Sequence, residues 1–142
     1  MAAPRAAIVD TGPLVALLDA GDSAHDWTVR QFQRITGPLL TCEPVVAEVL
    51  YLLRSLRPAQ EKILDWIERG VLVCPFVLGE EVAHVRKLWK KYADVPMSFA
   101  DACLVRMSEK HDDHCICTLD RDFTVYRRHG HEPIPLIMPS VA

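Results

Sequence analysis

Two acids stand at the ends of regular elements in the stretch DVPMSFADACLVRMSEKHDDHCICTLDRDF, which spans Asp94 to Phe123. Asp101 follows Ser98 at a capping-box spacing, and Asp120 ends the continuous run Cys115-Ile116-Cys117-Thr118-Leu119. Two more acids occupy comparable places. Asp10 follows Ala6-Ala7-Ile8-Val9, and Glu48 is the only charge in Pro44-Val45-Val46-Ala47-Glu48-Val49-Leu50-Tyr51-Leu52-Leu53, while Asp122 lies close behind Asp120. A set of carboxylates without Cys or His is a hard, oxygen-only donor set, suited to Mg²⁺ or Mn²⁺ rather than zinc. Such ions activate water and neutralise phosphoryl oxygens, so hydrolysis of a phosphodiester is the reaction that best uses them.

Each acid also has a structural explanation. Asp in the first turn of a helix complements the helix dipole, and Asp after a strand starts turns. Asp10 and Thr11 are both good cap residues. The helix around Glu48 reads as apolar all round and hence buried, and a buried carboxylate needs a cation or a metal. A salt bridge to Arg54, or a short exposed stripe, is the alternative there.

The elements that must carry these acids follow from periodicity. Short continuous apolar runs at Ala6–Val9, Leu39–Thr41, Val71–Cys74, Cys115–Leu119 and Ile134–Met138 read as strands, the last at a sheet edge because of Pro135. Helical patterns cover Leu14–Leu18, Ala24–Ile35, Pro44–Leu53, Pro58–Arg69, Gly79–Tyr92 and a segment starting at Ser98, and one helical turn is expected over Phe123–Arg128. Strands separated by helices predict an α/β/α sandwich around a mainly parallel five-stranded sheet, in one domain over 1–142. In open sheets of this kind ligands bind at the carboxyl edge, where Asp10 and Asp120 fall.

Composition narrows the class. The chain has 142 residues, half of them hydrophobic, which suffices for a core without staples. No apolar run approaches a membrane span, so a soluble cytoplasmic protein is expected. Five cysteines lack CxxC spacing and lie mostly in apolar segments, which argues against a disulfide framework. His111 with His114, and His129 with His131, have no Cys at zinc-site spacing. The net charge of −3 does not favour coating nucleic acid through bulk charge, so local basic runs would have to do that work. Arg86, Lys87, Lys90 and Lys91 cluster in the C-terminal half of their helix, where cations also suit the dipole as a solvated face.

The ordered segments IVDTGPLVALLD, PVVAEVLYLL, SFADACLV and TLDRDF resemble the PIN-domain ribonucleases over nearly the whole chain. The resemblance implies that Asp10, Glu48, Asp101 and Asp120 hold Mg²⁺ or Mn²⁺ and position the attacking water, with Asp122 as an accessory ligand. It also implies that Thr11, Ser98 and Thr118 shape the site. At this length the chain is similar to VapC-type toxins of toxin–antitoxin pairs, which implies a homodimeric RNA endonuclease inhibited by a cognate antitoxin. Arg86, Lys87, Arg121, Arg127 and Arg128 are then candidate contacts to RNA phosphates. A non-cleaving, metal-dependent RNA-binding module would keep the same acids. A phosphoacceptor receiver domain also gathers acids at strand ends, but its paired N-terminal acids and late Lys are not evident.

Overall fold

The structure, a computed structural model, describes residues 5–140. In chain order its elements are β1 (Ala6–Val9), α1 (Thr11–Leu18), α2 (His25–Phe32), β2 (Leu39–Leu40), α3 (Glu43–Leu52), α4 (Arg57–Glu68), β3 (Leu72–Val73), α5 (Leu78–Lys91), α6 (Phe99–Lys110), β4 (His114–Cys117), a 3-10 turn (Arg121–Thr124), β5 (Arg127–Arg128), β6 (Glu132–Pro133) and β7 (Leu136–Ile137). Five strands form a sheet in the order β3-β2-β1-β4-β7, and every pairing in it is parallel. Pairs of helices between successive strands flank the sheet, giving the α/β/α arrangement. None of the described helices is long and apolar enough to cross a membrane.

Parallel strands covered by helices are apolar on both faces, which is why they appear in the sequence as continuous runs. Ile8, Val9, Ile116 and Cys117 are fully buried, as are Leu104 and Met107 on α6. Truncating such a residue, for instance Leu104→Ala, should cost about 2–5 kcal/mol. Gly70, at φ +74, follows the end of α4, because that backbone conformation is cheap only without a Cβ. Pro135 precedes the edge strand β7, where its carbonyl accepts a hydrogen bond from the Ile116 amide at 2.9 Å.

The topology sets the site. The chain moves from β1 outward to β2 and β3, then returns across β1 to β4, so the strand order reverses at the β1–β4 pair. Its register aligns Ala7 with Cys115 and Val9 with Cys117. The residues that emerge side by side at the carboxyl edge are therefore Asp10 and Thr118. Such a reversal point opens a crevice at the strand ends.

Two expectations fail. Phe123–Arg128 does not form a helical turn: Arg121–Thr124 makes a 3-10 turn, and Arg127–Arg128 pairs antiparallel with Glu132–Pro133. His129 and Gly130, at φ +52 and +83, make the tight turn of this hairpin, a conformation that matches strand twist and is incompatible with a helix. Nor is α3 buried all round. Val45, Val49 and Leu53 form its buried stripe, whereas Ala47, Glu48, Tyr51 and Leu52 are exposed. Only the i, i+4 stripe meets the core, and the remaining apolar residues face outward.

Candidate active site at the carboxyl edge of the sheet

Asp10 begins where β1 ends. It caps α1 by accepting the Thr11 amide on Oδ1 at 2.7 Å. Its Oδ2 accepts the hydroxyl of Thr118 at 2.7 Å, and that hydroxyl oxygen accepts the Asp120 amide at 3.0 Å. Fully buried Thr118 thus ties Asp10 to the backbone that carries Asp120. No cation among the described residues pairs with Asp10, and desolvation pushes its carboxyl up to about 6; the Thr118 and Thr11 hydrogen bonds oppose the rise, and repulsion from Asp101 and Asp120 adds to it.

Asp101 arrives from the other side, in the first turn of α6. The Ser98 hydroxyl caps the helix by accepting the Asp101 amide at 3.0 Å, as the spacing predicted. The Asp101 carboxylate is buried, and its Oδ2 accepts the hydroxyl of Tyr126 at 2.9 Å. Burial raises its pKa, the Tyr126 and Ser98 hydrogen bonds oppose the rise, and the charge of Asp120 adds to it. The phenol of Tyr126 is raised in turn, by burial and by the carboxylate it serves. Sequence reasoning gave Tyr126 no role. The available signal was an aromatic residue three positions after Phe123, since a buried Tyr hydroxyl usually has a partner.

Asp120 and Glu48 complete an open cleft of about 430 Å³, lined also by Thr11, Gly12, Ser98 and Leu52. Asp120 is exposed and caps the 3-10 turn, its Oδ1 accepting the Asp122 amide at 2.9 Å. Glu48 lines the cleft from the exposed side of α3, so the expectation that it is a buried charge is corrected. Gly12 lies tight under the loop after β4: a Cβ there would stand 3.2 Å from Leu119 Cδ1.

Other predicted positions fare differently. Asp122 does not line the cleft; its amide supports Asp120 instead. Arg128 is buried, and its guanidinium donates to the carbonyls of Ser108 and Asp112 and to Glu132, so it braces the end of α6 and is not free to meet a phosphate. Arg127 folds over the carbonyls of Thr124, Val125 and Tyr126, and Arg121 donates to the Pro139 carbonyl at 2.9 Å. Arg86 and Lys87 remain exposed.

The donor set fits a hard divalent cation. Asp10, Asp101, Asp120 and Glu48 offer carboxylate oxygens with no basic residue lining the cleft. The buried hydroxyl of Thr11, also in the lining, has no hydrogen-bond partner among the described residues, so a polar group is left to be satisfied there. Among the described residues no three acid, His or Cys side chains close into a finished coordination shell. Mg²⁺ keeps several of its own waters and uses only one or two carboxylates, so acids spaced along a cleft suit it.

The similarity to known proteins agrees with this geometry. The chain is 28% identical over 116 residues to ribonuclease VapC26 of Mycobacterium tuberculosis, covering 80% of this chain and 86% of that one. The crystal structure of Mycobacterium tuberculosis VapC20, a toxin that cleaves the sarcin-ricin loop, has the same fold, with a TM-score of 0.76 at 20% identity over 84% of this chain and 94% of that one. The family model of the PIN domain matches residues 7–128, which include all four acids of the cleft, and the chain belongs to the PIN-domain family.

Proposed function

We propose that this chain is a Mg²⁺- or Mn²⁺-dependent endoribonuclease and the toxin of a cytoplasmic toxin–antitoxin pair. The observation that carries the reading is a cleft lined by four carboxylates and no cation, in which Asp10 and Asp101 are buried and raised in pKa. Mutual repulsion without a basic partner is an arrangement that a divalent ion relieves. The similarity to ribonuclease VapC26 supports RNA as the substrate.

Bound there, a divalent ion would neutralise charge on the phosphate and lower the pKa of a water. The chain's own residues prepare for that. Asp10 and Asp101 would hold the ion from the two walls, and Glu48 and Asp120 from the open side. The Thr118 hydroxyl and the Thr11 amide fix both oxygens of Asp10, so its orientation does not depend on the substrate. The Tyr126 hydroxyl holds one carboxylate oxygen of Asp101, and the Ser98 hydroxyl fixes that residue's backbone amide at the start of α6. Preset ligands reduce the ordering left for the reacting complex.

A protein partner is supported by apolar surface on α3 and α4, where Tyr51 is 62% and Leu52 48% exposed beside Leu56 and Leu64. Leu52 also lines the cleft, so an antitoxin seated there would lie next to the acids. The resemblance to VapC toxins further supports a homodimer. The test of the activity is cleavage of labelled RNA by the purified chain in Mn²⁺, in Mg²⁺ and in EDTA. Cleavage restricted to the metal-containing buffers is expected, and full activity in EDTA, or none in either metal, would overturn it.

A further inference from the structure

Away from the acids, α5 and the start of α6 present aromatic rings beside cations. Trp89 on α5 is 54% exposed and Phe99, the first residue of α6, 37%. Their rings meet edge to face with centroids 6.4 Å apart. Both line an open groove of about 750 Å³ together with Val82, and the only charged residues lining it are Arg86 and Lys90. Neither is in an ion pair among the described residues, and the buried Glu81 on the same helix is taken by Arg106 and Lys110. Phe99 follows Ser98 and precedes Ala100, both of which line the acid cleft, so the groove lies one residue along the chain from that cleft.

We infer that the Trp89–Phe99 groove is a base-stacking subsite for single-stranded RNA, with Arg86 and Lys90 contacting phosphates that flank the one held in the acid cleft. This rests on the nuclease reading and adds where the neighbouring nucleotides lie. Exposed aromatic faces bind any base by stacking, and cations beside them hold the backbone. The charge pattern selects the occupant. Two cations and no acid line the groove, a charge pattern that complements a polyanion.

The test uses the full chain with Asp101→Asn as background, so that RNA is bound and not cut. The probes are labelled oligouridylate of about ten nucleotides and an abasic strand of equal length, which retains phosphates without bases. Trp89→Leu should weaken oligouridylate about tenfold and leave the abasic strand unchanged, and Trp89→Phe should recover most of the loss. Arg86→Gln should weaken both strands and lower the salt slope by about one. Oligouridylate should quench a tryptophan emission that is missing from Trp89→Phe, in which the half-buried Trp27 and Trp66 remain. Unchanged affinity in Trp89→Leu overturns the subsite. So does an equal loss for both strands with a changed sedimentation coefficient, which would assign the face to a second copy. A wild-type chain that cuts no RNA in Mn²⁺ sinks the nuclease reading alone, since the comparison of strands still decides the subsite.

Discussion

Helix α6 meets buried acids of opposite character along its length, its own Asp101 in the first turn and Glu81 of α5 farther along. At its N-terminus Asp101 faces Asp10 and Asp120 across the cleft with no cation. Farther along, Arg106 donates from Nε to Glu81 at 2.7 Å and from Nη1 to Glu109 at 3.1 Å, and Lys110 donates to the second oxygen of Glu81 at 2.7 Å. Burial is nearly equal: Asp10 and Asp101 are each 8% exposed and Glu81 6%. The pKa values move oppositely, Asp10 and Asp101 upward through desolvation, Glu81 downward through Lys110 and then Arg106. Burial alone therefore does not set the direction of the shift; the partner does. The Glu81 cluster ties α5 to α6, whereas the cleft acids repel one another with no cation beside them.

The comparison breaks most visibly at Asp101. Asp101→Asn keeps the shape and removes one charge, so metal-dependent RNA cleavage should be abolished, because hard ions need anionic oxygen. In EDTA the thermal midpoint should stay equal or rise, and the upward shift produced by Mn²⁺ should shrink. Retained cleavage with an unchanged Mn²⁺ shift would reduce Asp101 to a helix-start residue.

Acidity separates the same two regions. Asp10 has a folded pKa of about 6 against 3.8 for an unperturbed aspartate, so the folded chain binds its proton more tightly. That contribution to stability is complete below about pH 4 and is lost as pH rises through 6, by about 3 kcal/mol at most. Glu81 runs the other way: its lowered pKa contributes stability above 4.5 that disappears as pH falls through its folded value. Denaturation in EDTA should thus show stability declining from pH 4 to 7 in the wild type, with the decline reduced in Asp10→Asn or by Mn²⁺. An unchanged slope in Asp10→Asn would refute the assignment to Asp10.

Glu81→Gln is the converse of Asp101→Asn. It should lower stability by about 1–3 kcal/mol and leave the metal requirement of cleavage intact. The loss is moderated because Arg106 keeps Glu109 and the Lys110 side chain is 38% exposed. A variant equally stable but unable to cleave RNA would place function in the wrong cluster.

What the sequence disclosed follows the range of the interactions involved. Asp10, Asp101 and Asp120 were legible because strand ends and helix caps are local, as were the alternating strands and helices. The central place of β1 was not, since sheet order depends on pairings between distant segments. Glu48 was found for a reason that fails: it interrupts an apolar run but stands on the exposed side of α3. Arg128 and Tyr126 were misjudged or missed because the β5–β6 hairpin, set by backbone conformation at His129 and Gly130, decides where they point. Arg86 and Arg106 are both helical cations amid apolar residues, and only the packing of α5 on α6 tells which is paired.

Tyr126 gives the smallest and most selective test, because it sits in the cleft's support and not in its lining. Its ring is fully buried, packed edge to face on Phe123 and Tyr92 with centroids 5.2 and 5.1 Å away, so Tyr126→Phe preserves the packing and deletes one hydroxyl. That hydroxyl holds Asp101 Oδ2 at 2.9 Å, leaving the carboxylate less firmly oriented when it is gone. Groups that orient a metal ligand typically contribute 10–100-fold in affinity or activity, and with Ser98 still in place the lower end is expected, about tenfold weaker Mn²⁺ binding by calorimetry. Saturating Mn²⁺ should then restore most of the cleavage rate, a rescue that Asp101→Asn cannot show. The hydroxyl is also a buried donor whose removal leaves Asp101 less compensated, so stability in EDTA should fall by no more than about 1–2 kcal/mol. Unchanged Mn²⁺ affinity together with that loss of stability would make Tyr126 part of the core alone.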